Sequence, residues 1–72
     1  MSPKLPVVSG DELIRTLAKF GYTAVRQKGS HVRLRHSTDS QRLPVTVPLH
    51  NEIASGILRD AAVTVEQLVS AL

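Results

Sequence analysis

Arg26-Gln27-Lys28-Gly29-Ser30-His31-Val32-Arg33-Leu34-Arg35 is the stretch that decides how this 72-residue chain folds. Side chains alternate along a strand, so His31, Arg33 and Arg35 share one side while Val32 and Leu34 share the other. One side is cationic and the other apolar. Lys28-Gly29 reads as a two-residue turn between two strands, with Gly29 supplying the positive φ that such turns need. That register sets Arg26 opposite His31 and Val25 opposite Val32, so both strands agree about which face is buried. A three-residue loop would set Val25 opposite Arg33 and mix the faces.

Outward from the hairpin, the pattern reads helix, three strands, helix, short helix. Ser9 followed by Glu12 is a capping-box pair, and Leu13, Ile14, Leu17 and Ala18 recur at helical spacing until Gly21 ends the run. The first helix is expected from about Gly10 to Phe20. Tyr22 to Lys28 and Ser30 to His36 are the hairpin strands, and the polar stretch Ser37 to Gln41 is a loop. Leu43, Val45 and Val47 alternate with Pro44, Thr46 and Pro48 in a third strand. Because Pro44 has no N–H to give a ladder, it marks a strand edge or a strand start. After His50, either Asn51 or Ser55 is placed to cap a helix carrying Ile53, Ile57, Leu58 and Ala61. Thr64 with Gln67 is a second capping-box pair, and Val65, Leu68, Val69 and Leu72 give the last segment an apolar side. The expected fold class is α+β, one domain over residues 1–72, with helices on one face of a three-stranded antiparallel sheet. Val25, Val32, Leu34, Leu43, Val45 and Val47 are expected to face the helices.

Composition narrows the function classes. The chain has no cysteine, so neither a disulfide framework nor a thiolate metal site supports it. No apolar run approaches the length of a membrane span, and the N-terminus does not resemble a signal sequence, so a cytoplasmic protein with no membrane partner is expected. A net charge of +3 suits a polyanionic partner, and the distribution is sharper than the total. Arg26, Lys28, Arg33, Arg35 and Arg42 fall in a middle segment whose only acid is Asp39. The three histidines form no i, i+4 pair and no carboxylate stands at a ligand spacing from them, so no metal or other cofactor is expected.

The chain resembles the HicA-type toxins of bacterial toxin–antitoxin pairs over nearly its whole length. The resemblance rests on Leu5-Pro6-Val7-Val8-Ser9-Gly10, Arg26-Gln27-Lys28-Gly29-Ser30-His31, Val47-Pro48-Leu49-His50 and Ile57-Leu58-Arg59-Asp60-Ala61 taken together. It implies a fold like the double-stranded-RNA-binding domain, metal-independent endoribonuclease cleavage of messenger RNA, and neutralisation by a HicB-type antitoxin. The family's catalytic histidine, in its Gly-Ser-His motif, falls on His31. One departure is the single step from Gly56 to Ile57, where the family pattern carries about one helical turn more; a deletion of that size preserves an apolar helical face.

The chemistry also follows from the residues. RNA carries its own nucleophile in the 2′-hydroxyl, so a nuclease needs a proton acceptor, charge stabilisation at phosphate and alignment. His31 supplies the first, and Arg26, expected directly across the ladder, is the nearest cation to it. Arg26, Lys28, Ser30, Arg33 and Arg35 are the candidate RNA-binding residues. Ser30 either fits the turn or lends its hydroxyl to a phosphate, the turn being the favoured reading; His36 reads as structural or solvated, and His50 as a residue capping or packing at the following helix. The competing reading is a non-catalytic RNA-binding module on the same fold, in which the cationic face only grips phosphates. Phe20 and Tyr22 are the only aromatics, and they form no base-stacking platform on that face.

Overall fold

The computed structural model describes residues 7–49 and 55–72. Its elements run α1 (Gly10–Ala18), β1 (Tyr22–Lys28), β2 (His31–His36), β3 (Val45–Pro48), α2 (Ser55–Asp60) and α3 (Val65–Ala71). The strands form one antiparallel sheet in the order β1-β2-β3.

Local chemistry sets the helix ends. Ser9 Oγ accepts from the Glu12 amide at 3.1 Å while Glu12 Oε1 accepts from the Ser9 amide at 3.3 Å, which satisfies two otherwise orphaned donors at the start of α1. Thr64 and Gln67 repeat the arrangement at α3, with bonds of 3.0 and 2.8 Å. α1 stops at Ala18, two residues short of Phe20, and tightens through short-range bonds into Gly21, whose φ of +95° turns the chain toward β1. Gly10 is buried at the start of α1, and a Cβ there would stand 2.6 Å from the Pro48 carbonyl oxygen, so the absent side chain lets α1 lie against the end of β3. The Asn51 cap, Ile53 and His50 lie outside the described residues.

The core is one layer between sheet and helices. Leu13, Leu17, Leu58, Ala61, Val63 and Leu68 meet Tyr22, Val32, Leu34, Val45 and Val47. At roughly 25 cal/mol per Å² of apolar surface removed from water, such side chains supply the main drive to fold.

Four sequence expectations need correction. The turn is Gly29-Ser30 rather than Lys28-Gly29, because Lys28 pairs with His31 and Gln27 with Val32. Gly29 has φ +58° and Ser30 is not among the positive-φ residues, the pattern of a Gly-led type II′ turn. Arg26 therefore stands opposite Arg33, and Lys28, not Arg26, stands opposite His31. Val25 is not in the core: the register slips between Ala24 and Arg26, leaving Val25 as the extra residue of a β-bulge, 54% exposed. Leu43 is 56% exposed because β3 begins only at Val45, after Pro44; the Leu43 carbonyl instead accepts the Tyr22 hydroxyl at 2.7 Å. In α3 only Leu68 is fully buried and Val65 packs at its edge, while Val69 and Leu72 are exposed.

Candidate nucleic-acid interface

The sheet face turned away from the helices carries the cations. Along β2, Val32 and Leu34 are buried whereas His31, Arg33 and Arg35 are exposed, as strand alternation requires. Antiparallel pairing then sets Lys28 of β1 beside His31 and Arg26 beside Arg33 on the same face. From β3, Thr46 pairs with Arg33 and Pro48 with His31.

The bulge makes this face possible. Tyr22, Arg26 and Lys28 have the same parity, so a regular strand with Tyr22 buried would also turn both cations toward the core. Inserting Val25 switches the parity between Ala24 and Arg26. Tyr22 is consequently 2% exposed and Arg26 and Lys28 remain in solvent.

Arg26, Lys28, His31, Arg33 and Thr46 line one open depression of about 370 Å³. Within it, Arg33 Nη1 donates to Thr46 Oγ1 at 3.1 Å, which holds the guanidinium against β3. Thr46 was not singled out in the sequence, although its parity with Pro44 and Pro48 places it on the outer face. Arg35 stands at the other end of the β2 row, in a separate groove beside the residue 37–44 loop. Ser30 is in the turn, where its carbonyl accepts the Leu49 amide at 2.8 Å, tying the hairpin tip to the end of β3; it does not line the depression.

Two residues of the basic middle segment are structural. Arg42 faces Asp39 at 3.5 Å and donates to the Ala61 carbonyl at 3.1 Å, joining the β2–β3 loop to the segment after α2. His36 Nδ1 accepts from the Asp39 amide at 2.9 Å and the Thr38 amide at 3.3 Å, so Nε2 carries the hydrogen donated to the Phe20 carbonyl at 2.8 Å. Its ring also meets Tyr22 edge-on, with centroids 5.3 Å apart. The structural reading of His36 therefore holds. Burial pushes the Tyr22 phenol above the ordinary tyrosine range, against a smaller lowering pull from Arg42. Among the described residues, no three His, Asp or Glu side chains converge as a metal-ligand set, and no helix is long and apolar enough to cross a membrane.

A family model described as the HicA toxin of bacterial toxin–antitoxin matches residues 10–67. This chain belongs to the HicA toxin family. The match spans both the α1 start and the α3 capping box, and it includes every cation of the exposed sheet face. No curated protein matches the chain closely enough to serve as a relative for comparison. Membership makes the chain a toxin of a toxin–antitoxin pair and implies an antitoxin partner. The opposite sheet face is covered by α1, α2 and α3, and among the described residues no helix packs on the cationic face.

Proposed function

We propose that this HicA toxin is a metal-independent endoribonuclease that cuts single-stranded messenger RNA in the cytoplasm, with His31 at the centre of the chemistry. The observation that supports the reading most is one exposed histidine in a depression otherwise lined by Arg26, Lys28, Arg33 and Thr46. His31 takes the 2′-hydroxyl proton, and the resulting 2′-oxygen attacks the adjacent phosphorus. The P–O5′ bond breaks, leaving a 2′,3′-cyclic phosphate on one fragment and, as the 5′-oxygen takes a proton from solvent or from the His31 imidazolium, a 5′-hydroxyl on the other; His31 returns to its neutral form. Arg33, pre-oriented by Thr46, stabilises the charge that builds on the non-bridging oxygens, and Lys28, across the ladder from His31, neutralises a phosphate. Arg26 on β1 and Arg35 on β2 extend the grip over the sheet face, and Ser30 acts through the turn.

A HicB-type antitoxin is proposed to silence the toxin by covering this face with acidic residues. The simplest inhibitor of a surface histidine is one that buries it.

The test is cleavage of a labelled messenger RNA in excess EDTA by wild type and His31→Ala, with folding checked by circular dichroism. Cutting by wild type and loss of at least about a hundredfold in the folded variant, with RNA affinity retained, is expected. Equal cutting by both overturns the assignment of His31. Binding without cutting by wild type replaces the ribonuclease with a non-catalytic RNA-binding module.

A further inference from the structure

The β-bulge has a second effect, on the far end of the cationic face. Val25 is turned outward beside Arg35, and both line a groove of about 330 Å³ with Thr23, Ser37, Pro44 and Asp39, whose carboxylate faces Arg42 at 3.5 Å in the same lining. The groove is walled by the residue 37–44 loop, which Arg42 and His36 fasten down through Asp39, Ala61 and Phe20. Its position is fixed relative to His31, because Arg35 lies on the same strand and the same face, about 13 Å away along the backbone.

Its lining has distinct parts. Arg35 offers a planar, charged fork suited to a phosphate. Val25 and Pro44 give an apolar floor in a surface otherwise polar, and a β-branched residue 54% exposed beside an arginine has no role in the core. At the rim, the Thr23 and Ser37 hydroxyls are hydrogen-bonded to each other at 2.8 Å, which leaves one O–H and the remaining lone pairs for a ribose or a base edge. Phosphate fork, apolar floor and hydroxyl rim match the three parts of one nucleotide.

We propose that this groove is a nucleotide subsite, remote from the cleaved bond, which binds a flanking residue of the same single-stranded RNA and thereby sets its path and register across His31. The proposal rests on the ribonuclease reading for its substrate. Its chemistry is binding only: the flanking base packs against Val25 and Pro44 while its phosphate meets Arg35. The bulge then performs two tasks in one insertion, keeping Arg26 and Lys28 outward and laying the subsite's floor.

The experiment uses the full chain and uncleavable 2′-O-methyl oligoribonucleotides from about two to about eight nucleotides long, with affinity read by fluorescence anisotropy. Wild type is expected to gain about tenfold in affinity once an oligonucleotide is long enough to reach from His31 to the groove. Val25→Ser removes the floor and is expected to lose most of that gain, with the shortest oligonucleotides bound as by wild type. Val25→Ile keeps an apolar floor and retains the gain. A length-dependent gain unchanged in Val25→Ser, or an equal loss at every length, overturns the subsite. Cleavage of the corresponding unmodified RNAs is read in parallel. Absence of cutting with the length-dependent gain intact overturns the ribonuclease and leaves the subsite standing.

Discussion

At the scale of single residues, Tyr22 bears the greatest structural demand. It is the only tyrosine in the chain, it is 2% exposed, and its hydroxyl donates at 2.7 Å to the Leu43 carbonyl. Tyr22→Phe keeps the packing and deletes that bond, so a loss of about 1 kcal/mol at neutral pH is expected by chemical denaturation. The alkaline limb provides a second, independent check. An unfolded tyrosine ionises near pH 10, whereas burial raises the folded phenol above that value. Between the two values the folded state holds the proton that the unfolded state has released, so stability falls as pH rises. The contribution is fully present below about pH 10 and is lost as pH climbs through the folded value. The Phe variant has no phenol to ionise, so the stability curves of the two proteins should converge above pH 10; curves that stay parallel contradict the buried neutral phenol.

At the scale of elements, the hairpin tests how the turn sets the sheet. Gly29 adopts φ +58° and a Cβ there would meet nothing within 4 Å, so any cost of substitution is conformational rather than steric. Gly29→Ala should lower stability by about 1 kcal/mol, and Gly29→Asn by less, because asparagine is among the residues that primed hairpin turns accept at a positive φ. Gly10→Ala is the contrasting case, since its Cβ would press on the Pro48 carbonyl and the Leu49 backbone, and thermal denaturation should show it to be the costlier change, about 1–3 kcal/mol. A ranking with Gly29→Ala below Gly10→Ala in stability would contradict the packing of α1 on β3. What the sequence disclosed divides along the same line. Both capping boxes were legible because each is written within four consecutive residues, and the β2 faces were legible because alternation is local. The turn was displaced by one residue because Gly29 satisfies either loop position that needs positive φ, and only pairing across the ladder distinguishes them. The bulge went unread, yet it left a trace: Tyr22, Arg26 and Lys28 share a parity that no regular strand can place partly in a core and partly in water. The β2 row of the candidate site was legible for the same local reason, while Thr46, one strand away, depends on a tertiary register.

At the scale of the whole molecule, charge is sorted by face. Arg42 is tied to Asp39 and the Ala61 carbonyl, and Lys19 donates to the Ala71 carbonyl at 2.6 Å, so these basic residues brace the helices and loops. Arg26, Lys28, Arg33 and Arg35 remain exposed together on the side that none of the described helices covers. A single-stranded RNA lying there releases counterions in proportion to the phosphates neutralised, with a slope of about 0.7 per contact in a plot of log affinity against log salt. Replacing Arg33 and Arg35 together by Ala should therefore reduce that slope by about 1.4 and weaken binding at low salt, whereas His31→Ala should leave the slope nearly unchanged. The same sorting bears on the antitoxin. A partner that silences the toxin through this face competes with RNA for the same guanidinium groups, so the double Arg variant should bind the antitoxin more weakly and with a flatter salt dependence of association. Competition is read by displacing a labelled 2′-O-methyl oligonucleotide with purified antitoxin. Full displacement, with His31 buried in the complex, is the expected result. A ternary complex of toxin, antitoxin and RNA, or a toxin–antitoxin structure with His31 open to solvent, would show that inhibition acts from the helical side, and the acidic cover would have to be abandoned for a block transmitted through the core.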